Sequence, residues 1–231
     1  PRQRLIVAVD VPDARAARAL VEELGDAVEF YKIGLELAMS GSYFELMDWL
    51  LERDKRVFAD MKFYDVPATV SAAVRQISDR GASFLTVHGD RAIMEAAASQ
   101  KGDTLQILAV TVLTSLDKHD LEQMGIQDDV QTLVLRRAQQ AIASGCDGII
   151  ASGHEAGELR DALGPGPLIV TPGIRPADNT SQDDQKRIVT PALAIKRGAD
   201  YLVVGRPIRS APSPRAAAEA IQAEIAAAIP G

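Results

Sequence analysis

Apolar and polar positions along this chain fall into short blocks whose period switches between strand-like and helix-like. Residues 5–9, Leu-Ile-Val-Ala-Val, form a continuous apolar run that stops at Asp10, as expected of a strand buried on both faces of a parallel sheet. Val11-Pro12 turns the chain. Ala17, Leu20, Val21 and Leu24 then recur at helical spacing until Gly25 stops them, which completes one β-α unit. The same grammar predicts strands over 28–33, 56–61, 83–87, 106–111, 148–151, 167–171 and 201–204. Helices are predicted over 43–53, 68–80, 92–99, 130–144, 154–163, 191–197 and 214–228, with Gly81, Gly145, Gly164 and Gly198 where helices should end.

Eight alternating units in 231 residues predict an α/β fold of the TIM (β/α)8 barrel type, a single domain over 1–231. Parallel strands need helical crossovers, and this fold typically takes ~250 residues. A doubly wound open sheet is the alternative, but no G-x-G-x-x-G follows the first strand to support it.

Composition narrows the partners. A hydrophobic content of 47% is ample for one core, while a net charge of −7 argues against nucleic acid or an anionic membrane surface, both polyanions. No apolar run approaches the roughly 20 residues that span a bilayer, and the N-terminus enters an ordinary strand without a signal-peptide pattern. A cytoplasmic protein is expected. The single Cys146 excludes an intrachain disulfide and reads as a small buried residue; His88, His119 and His154 lack metal-ligand spacing, so no metal site is expected.

The candidate chemistry centres on residues 57–70. Asp60 and Lys62, two apart on an extended strand, would share a face; Asp65 lies beyond the strand, and Pro67 fits the first position of a helix. Taken alone, D-x-K-x-x-D fits a surface ion pair and an acid near a helix N-terminus. The barrel changes that reading, because active sites of this fold lie at the C-terminal ends of the strands. Asp10 would end the first strand, Lys32 the second, and Asp60 and Lys62 the third, with Thr114 and Ser115 after the fifth. All converge on one mouth.

Thr171-Pro-Gly-Ile-Arg-Pro176 and Gly205-Arg-Pro207 would follow strands seven and eight, whose loops frequently build a phosphate site from backbone N–H groups and a helix N-terminus. The long polar stretch 172–188 reads as a lid, with Arg175 and Gln185 near its ends suited to closing over a phosphate. His88, after the fourth strand, could touch the site or a dimer interface, although a structural role is the simpler reading.

With these residues in place the chain resembles the orotidine 5′-monophosphate decarboxylase family of the bacterial type, nearly end to end. The features that carry the resemblance are Val7-Ala-Val-Asp10, Tyr31-Lys-Ile-Gly34, Asp60-Met-Lys-Phe-Tyr-Asp-Val-Pro-Ala-Thr69, Val112-Leu-Thr-Ser115, Thr171-Pro-Gly-Ile-Arg-Pro176, Gln185 and Val204-Gly-Arg-Pro207. The resemblance implies loss of CO2 from orotidine 5′-phosphate to give uridine 5′-phosphate, without a cofactor. It implies a Lys-Asp-Lys-Asp array at Lys32, Asp60, Lys62 and Asp65, with Lys62 as general acid. It also implies a homodimer in which Asp65 and Thr69 come from the neighbouring subunit, Asp10 and Lys32 at the ribose, Thr114 at the pyrimidine edge, and Arg175, Gln185, Gly205 and Arg206 at the phosphate. A related barrel group, containing 3-keto-L-gulonate 6-phosphate decarboxylase and hexulose-phosphate synthase, shares D-x-K-x-x-D but uses Mg²⁺. There the position of Lys32 is an acidic metal ligand, and a lysine would repel the ion.

Overall fold

The computed structural model describes residues 1–176 and 187–229. Eight parallel strands close into a barrel in chain order: β1 (Leu5–Ala8), β2 (Phe30–Gly34), β3 (Arg56–Phe63), β4 (Phe84–Val87), β5 (Gln106–Val110), β6 (Gly148–Ile150), β7 (Leu168–Thr171) and β8 (Tyr201–Val204). Leu5, Ile6 and Val7 of β1 pair with Leu202, Val203 and Val204 of β8, which closes the circle and rules out the open sheet. Around it run α1 (Ala14–Leu24), α2 (Leu35–Met39), α3 (Tyr43–Leu51), α4 (Pro67–Ser78), α5 (Arg91–Ala98), α6 (Lys118–Gln123), α7 (Val130–Ala143), α8 (Ala156–Leu163), α9 (Pro191–Lys196), α10 (Arg206–Arg209) and α11 (Pro214–Ala228). The TIM barrel is as the periodicity predicts. Short α2, α6 and α10 are additions, each fewer than two turns long.

The continuous apolar strands follow from a core on both faces. Leu5 and Val7 pack outward against the helices, while Ile6 and Ala8 turn inward to join Phe30, Phe58, Phe84, Leu108, Val170 and Val203 in a separate interior cluster. Alternation along a strand thus divides apolar residues between two cores. At the N-terminal end of the barrel the Phe30 and Phe84 rings lie 5.0 Å apart, Phe84 and Tyr201 5.1 Å, and the Arg56 guanidinium stands 4.1 Å from the centre of Phe30. A cation over ring faces satisfies both charge and packing.

Helix starts obey side-chain chemistry. Asp13 accepts from the Ala16 N–H at 2.8 Å at the head of α1, and Pro67 occupies the first turn of α4 as expected. Among the described residues no helix is long and apolar enough to cross a membrane.

One strand departs from expectation where it matters. β3 runs on to Phe63, and its pairing with β4 slips between Ala59 and Phe63, so a bulge falls on residues 60–62. Lys62 there has φ +48°, left-handed instead of extended. Asp60 and Lys62 do come together, but through a bulged backbone and not through the regular two-residue alternation.

Candidate active site

Four charges alternate across the C-terminal mouth. Lys32 Nζ, on β2, lies 3.0 Å from Asp10 Oδ1, just past β1, and 3.2 Å from Asp60 Oδ2 on β3; Lys62 Nζ lies 2.8 Å from Asp60 Oδ1. The side chains of Lys32 and Asp60 are 11% and 13% exposed, against 33% for Lys62 and 44% for Asp10. The inner pair is therefore fixed, while the Lys62 ammonium keeps an open side toward the cavity.

Electrostatics keep the inner pair charged. Burial favours neutral Lys32, yet the nearby Asp60 and Asp10 carboxylates outweigh it and hold its pKa above the ordinary lysine value. Burial likewise pushes the Asp60 carboxyl upward, but Lys32, Lys62 and the Thr86 hydroxyl together leave it below the ordinary carboxylate value. The linkage signs follow. Asp60 stabilises the fold fully above the ordinary carboxylate pKa and loses that contribution as pH falls through its depressed value; Lys32 contributes fully below the ordinary lysine pKa and loses it as pH rises through its raised value.

Thr86, fully buried on β4, ties the bulge together. Its hydroxyl donates to Asp60 Oδ1 at 2.8 Å and accepts the Lys62 backbone N–H at 2.9 Å. Sequence reasoning missed it, because a β-branched threonine in an apolar run looks like any strand residue; the one signal was a hydroxyl between Leu85 and Val87. His88, half-buried, packs its ring 5.8 Å from that of Tyr64, and burial followed by Arg137 and Lys62 holds its pKa below the ordinary value.

These charges form one wall of a cavity of about 280 Å³. Ala8, Phe58 and Val203 from the barrel interior make its floor, Thr114 and Ser115 line it from the segment after β5, and Gly173, Arg175, Gly205 and Arg206 line it from the loops after β7 and β8. Arg175 is buried and Gly173 has φ +73°, a conformation that favours glycine. Arg206 opens α10, whose Ile208 and Arg209 N–H groups both donate to the Gly205 carbonyl at 3.0 Å and so fix the turn that carries it. Arg209, three residues further on, also lines the cavity and was not foreseen. The array of two acids and two lysines sums to zero charge, so the arginines leave the cavity net cationic.

Asp65 and Thr69 stand apart. Both are exposed, neither lines the cavity of its own chain, and Asp65 Oδ1 accepts the Val66 N–H at 2.6 Å. Gln185 lies outside the described residues. Among the described residues no three His, Cys, Asp or Glu side chains gather as a metal site would require. Cys146 is buried as expected, its thiol pushed up to about 12, chiefly by burial.

The chain is similar to known proteins over nearly its whole length. The family model described as "Orotidine 5′-phosphate decarboxylase / HUMPS family" matches residues 3–221. A protein of Methylococcus capsulatus named orotidine 5′-phosphate decarboxylase is 59% identical over 222 residues, covering 96% of this chain and 91% of the relative. One of the same name from Stenotrophomonas maltophilia is 53% identical over 228 residues, covering 98% and 94%. The crystal structure of orotidine 5′-phosphate decarboxylase from Lactobacillus acidophilus superposes with a TM-score of 0.84 at 33% identity, covering 96% of this chain and 98% of that one. The chain belongs to the orotidine 5′-phosphate decarboxylase / HUMPS family.

Proposed function

We propose that the chain converts orotidine 5′-phosphate to uridine 5′-phosphate and CO2, the last step of pyrimidine nucleotide synthesis, with no metal or organic cofactor. The observation that carries this reading is the contact-distance alternation Asp10–Lys32–Asp60–Lys62 facing an arginine-lined wall across one cavity.

Loss of CO2 leaves an electron pair on a ring carbon with no carbonyl placed as a conventional sink. The site must stabilise that carbanion by charge already in place. Lys62 presents its ammonium there and, as general acid, protonates the carbon. Asp60 holds that ammonium in place at 2.8 Å, and the substrate carboxylate beside Asp60 meets a like charge that departure of CO2 relieves. Asp10 and Lys32 bind the ribose, Thr114 the pyrimidine edge, and Arg175, Gln185, Gly205 and Arg206 the phosphate.

This reading includes a cytoplasmic homodimer in which Asp65 and Thr69 complete the partner's site. Support comes from their exposure beside the exposed apolar side chains of Tyr64 and Val66, and from Leu35 and Met39, exposed on α2 after β2.

Lys32 also separates this chain from the metal-dependent members of the family. Its ammonium sits between Asp10 and Asp60, where a divalent cation would have to displace a buried, doubly paired charge. The direct test follows the fall of orotate absorbance when the protein meets orotidine 5′-phosphate, with and without EDTA. Turnover unaffected by EDTA is expected. No absorbance change would remove the assignment, and turnover abolished by EDTA would transfer it to the metal-dependent chemistry.

Binding energy from the phosphate is spent at a distance from the reacting carbon. Arg206→Ala is therefore expected to lower kcat/KM for the phosphorylated substrate by about 1.5–3 kcal/mol, the range of a lost charge-assisted hydrogen bond. The phosphate-free nucleoside should be little affected. An equal loss on both substrates would contradict a phosphate role.

A further inference from the structure

One buried ion pair outside the alternating array has no task in the reading above. Glu155, at the head of α8, and Arg187, ahead of α9, meet at 2.5 Å between Oε1 and Nη1, with side chains 8% and 14% exposed. Burying such a pair is a poor route to stability, because desolvation offsets the attraction unless further hydrogen bonds accompany it. The further bonds here are specific. Arg187 Nη2 donates to the backbone carbonyls of Val112 at 3.0 Å and Leu113 at 3.1 Å.

Those two residues begin the segment that continues into Thr114 and Ser115, and all four line the cavity. On its other side Arg187 is two residues from Val189, whose carbonyl accepts the Arg175 N–H at 2.9 Å and whose own N–H donates to Gly173 at 3.2 Å. Gly173 and Arg175 line the opposite wall. One guanidinium, oriented by one buried carboxylate, thus joins the loops after β5, β6 and β7. A planar fork is suited to hold two carbonyls and a carboxylate in one arrangement; a lysine in its place is not.

We infer that Arg187, held by Glu155, is a positioning residue that sets Thr114 against the pyrimidine end of the substrate. The inference rests on the proposed reaction. Its test is the steady-state kinetics of Arg187→Ala, Arg187→Lys, Glu155→Gln, Thr114→Ala and the double variant R187A/T114A on orotidine 5′-phosphate, with thermal unfolding of each. Arg187→Ala should raise KM by roughly tenfold to a hundredfold, the scale of a misplaced contact, with a smaller change in kcat. Arg187→Lys should recover little of it. Because Arg187 acts through Thr114, the double variant should be no worse than the poorer single one.

A KM unchanged in Arg187→Ala while the unfolding temperature drops would overturn the inference, as would additive effects in the double variant. A raised KM in Arg187→Ala beside a normal Thr114→Ala would overturn it too, since Arg187 would then act elsewhere. Should Arg187→Ala fail to fold, Glu155→Gln keeps the volume and loses only the charge; a wild-type KM in that variant would end the proposal. Failure of the underlying reading looks different, because wild-type protein would then show no turnover at all.

Discussion

Lys62→Ala will show no measurable decarboxylation while still binding uridine 5′-phosphate. The ammonium has two tasks in the proposed reaction, electrostatic stabilisation of the carbanion and delivery of a proton. Loss of a placed charge costs roughly 10²–10³ in rate and loss of a general acid roughly 10²–10⁴. Even with overlap between them, turnover falls below what an absorbance assay detects. Binding survives because Gly205, Arg206 and Arg175 reach the cavity from other loops. The fold survives as well: the Lys62 N–H, not its side chain, bonds to Thr86 and anchors the bulge. Substantial turnover in this variant would remove Lys62 from the mechanism.

The same variant tests the shared site. Mixed and refolded with Asp65→Ala, itself expected to be inactive, it should regain activity. Half of the resulting dimers would be hybrids, each with one intact site in two, giving about a quarter of wild-type activity for a twofold assembly. A mixture as inactive as its components would mean that Asp65 does not cross between subunits.

The second large effect is expected at Asp60. Asp60→Asn keeps an acceptor for the Thr86 hydroxyl but removes the charge that Lys32 and Lys62 share at 3.2 and 2.8 Å. Lys62 then loses the partner that aims it, and kcat should fall by roughly 10² or more, the cost of a reacting group displaced by about 1 Å. Breaking a buried charge cluster should also cost about 3 kcal/mol of stability at neutral pH. That deficit has a pH signature. The wild-type carboxyl is depressed below the ordinary value, so its advantage over the variant is complete at neutral pH and shrinks on acidification through the depressed value. Denaturant unfolding at neutral and acid pH measures it. Wild-type kcat in a destabilised Asp60→Asn would make the residue structural only.

The eight strands were legible because burial on both faces writes a mainly apolar run, broken by Lys32 in β2, by Asp60 and Lys62 in β3 and by Thr86 in β4. The longer helices announced themselves by spacing and by glycine stops, and six-residue α9 by its opening proline and Gly198. α2, α6 and α10 did not, since fewer than two turns carry no period to read and no glycine stop was recognised after them. Asp10, Lys32, Asp60, Lys62, Thr114, Arg175, Gly205 and Arg206 were legible as a group only after the barrel placed strand ends together. What stayed hidden depends on partners distant in the chain. The slip in β3 is stabilised by Thr86, 24 residues beyond Lys62, and Arg187 bonds to Val112 across 75 residues. No local pattern encodes such pairs.

The Arg56 guanidinium and the rings of Phe30, Phe84 and Tyr201 stopper the lower end of the barrel. The cavity above them is closed on that side, with Ala8, Phe58 and Val203 as its floor. On the proposed reaction, a gas molecule formed beneath a seated nucleotide has no back door. It must slip out past the sugar and phosphate or wait for them to leave, so both products depart through the mouth that admitted the substrate.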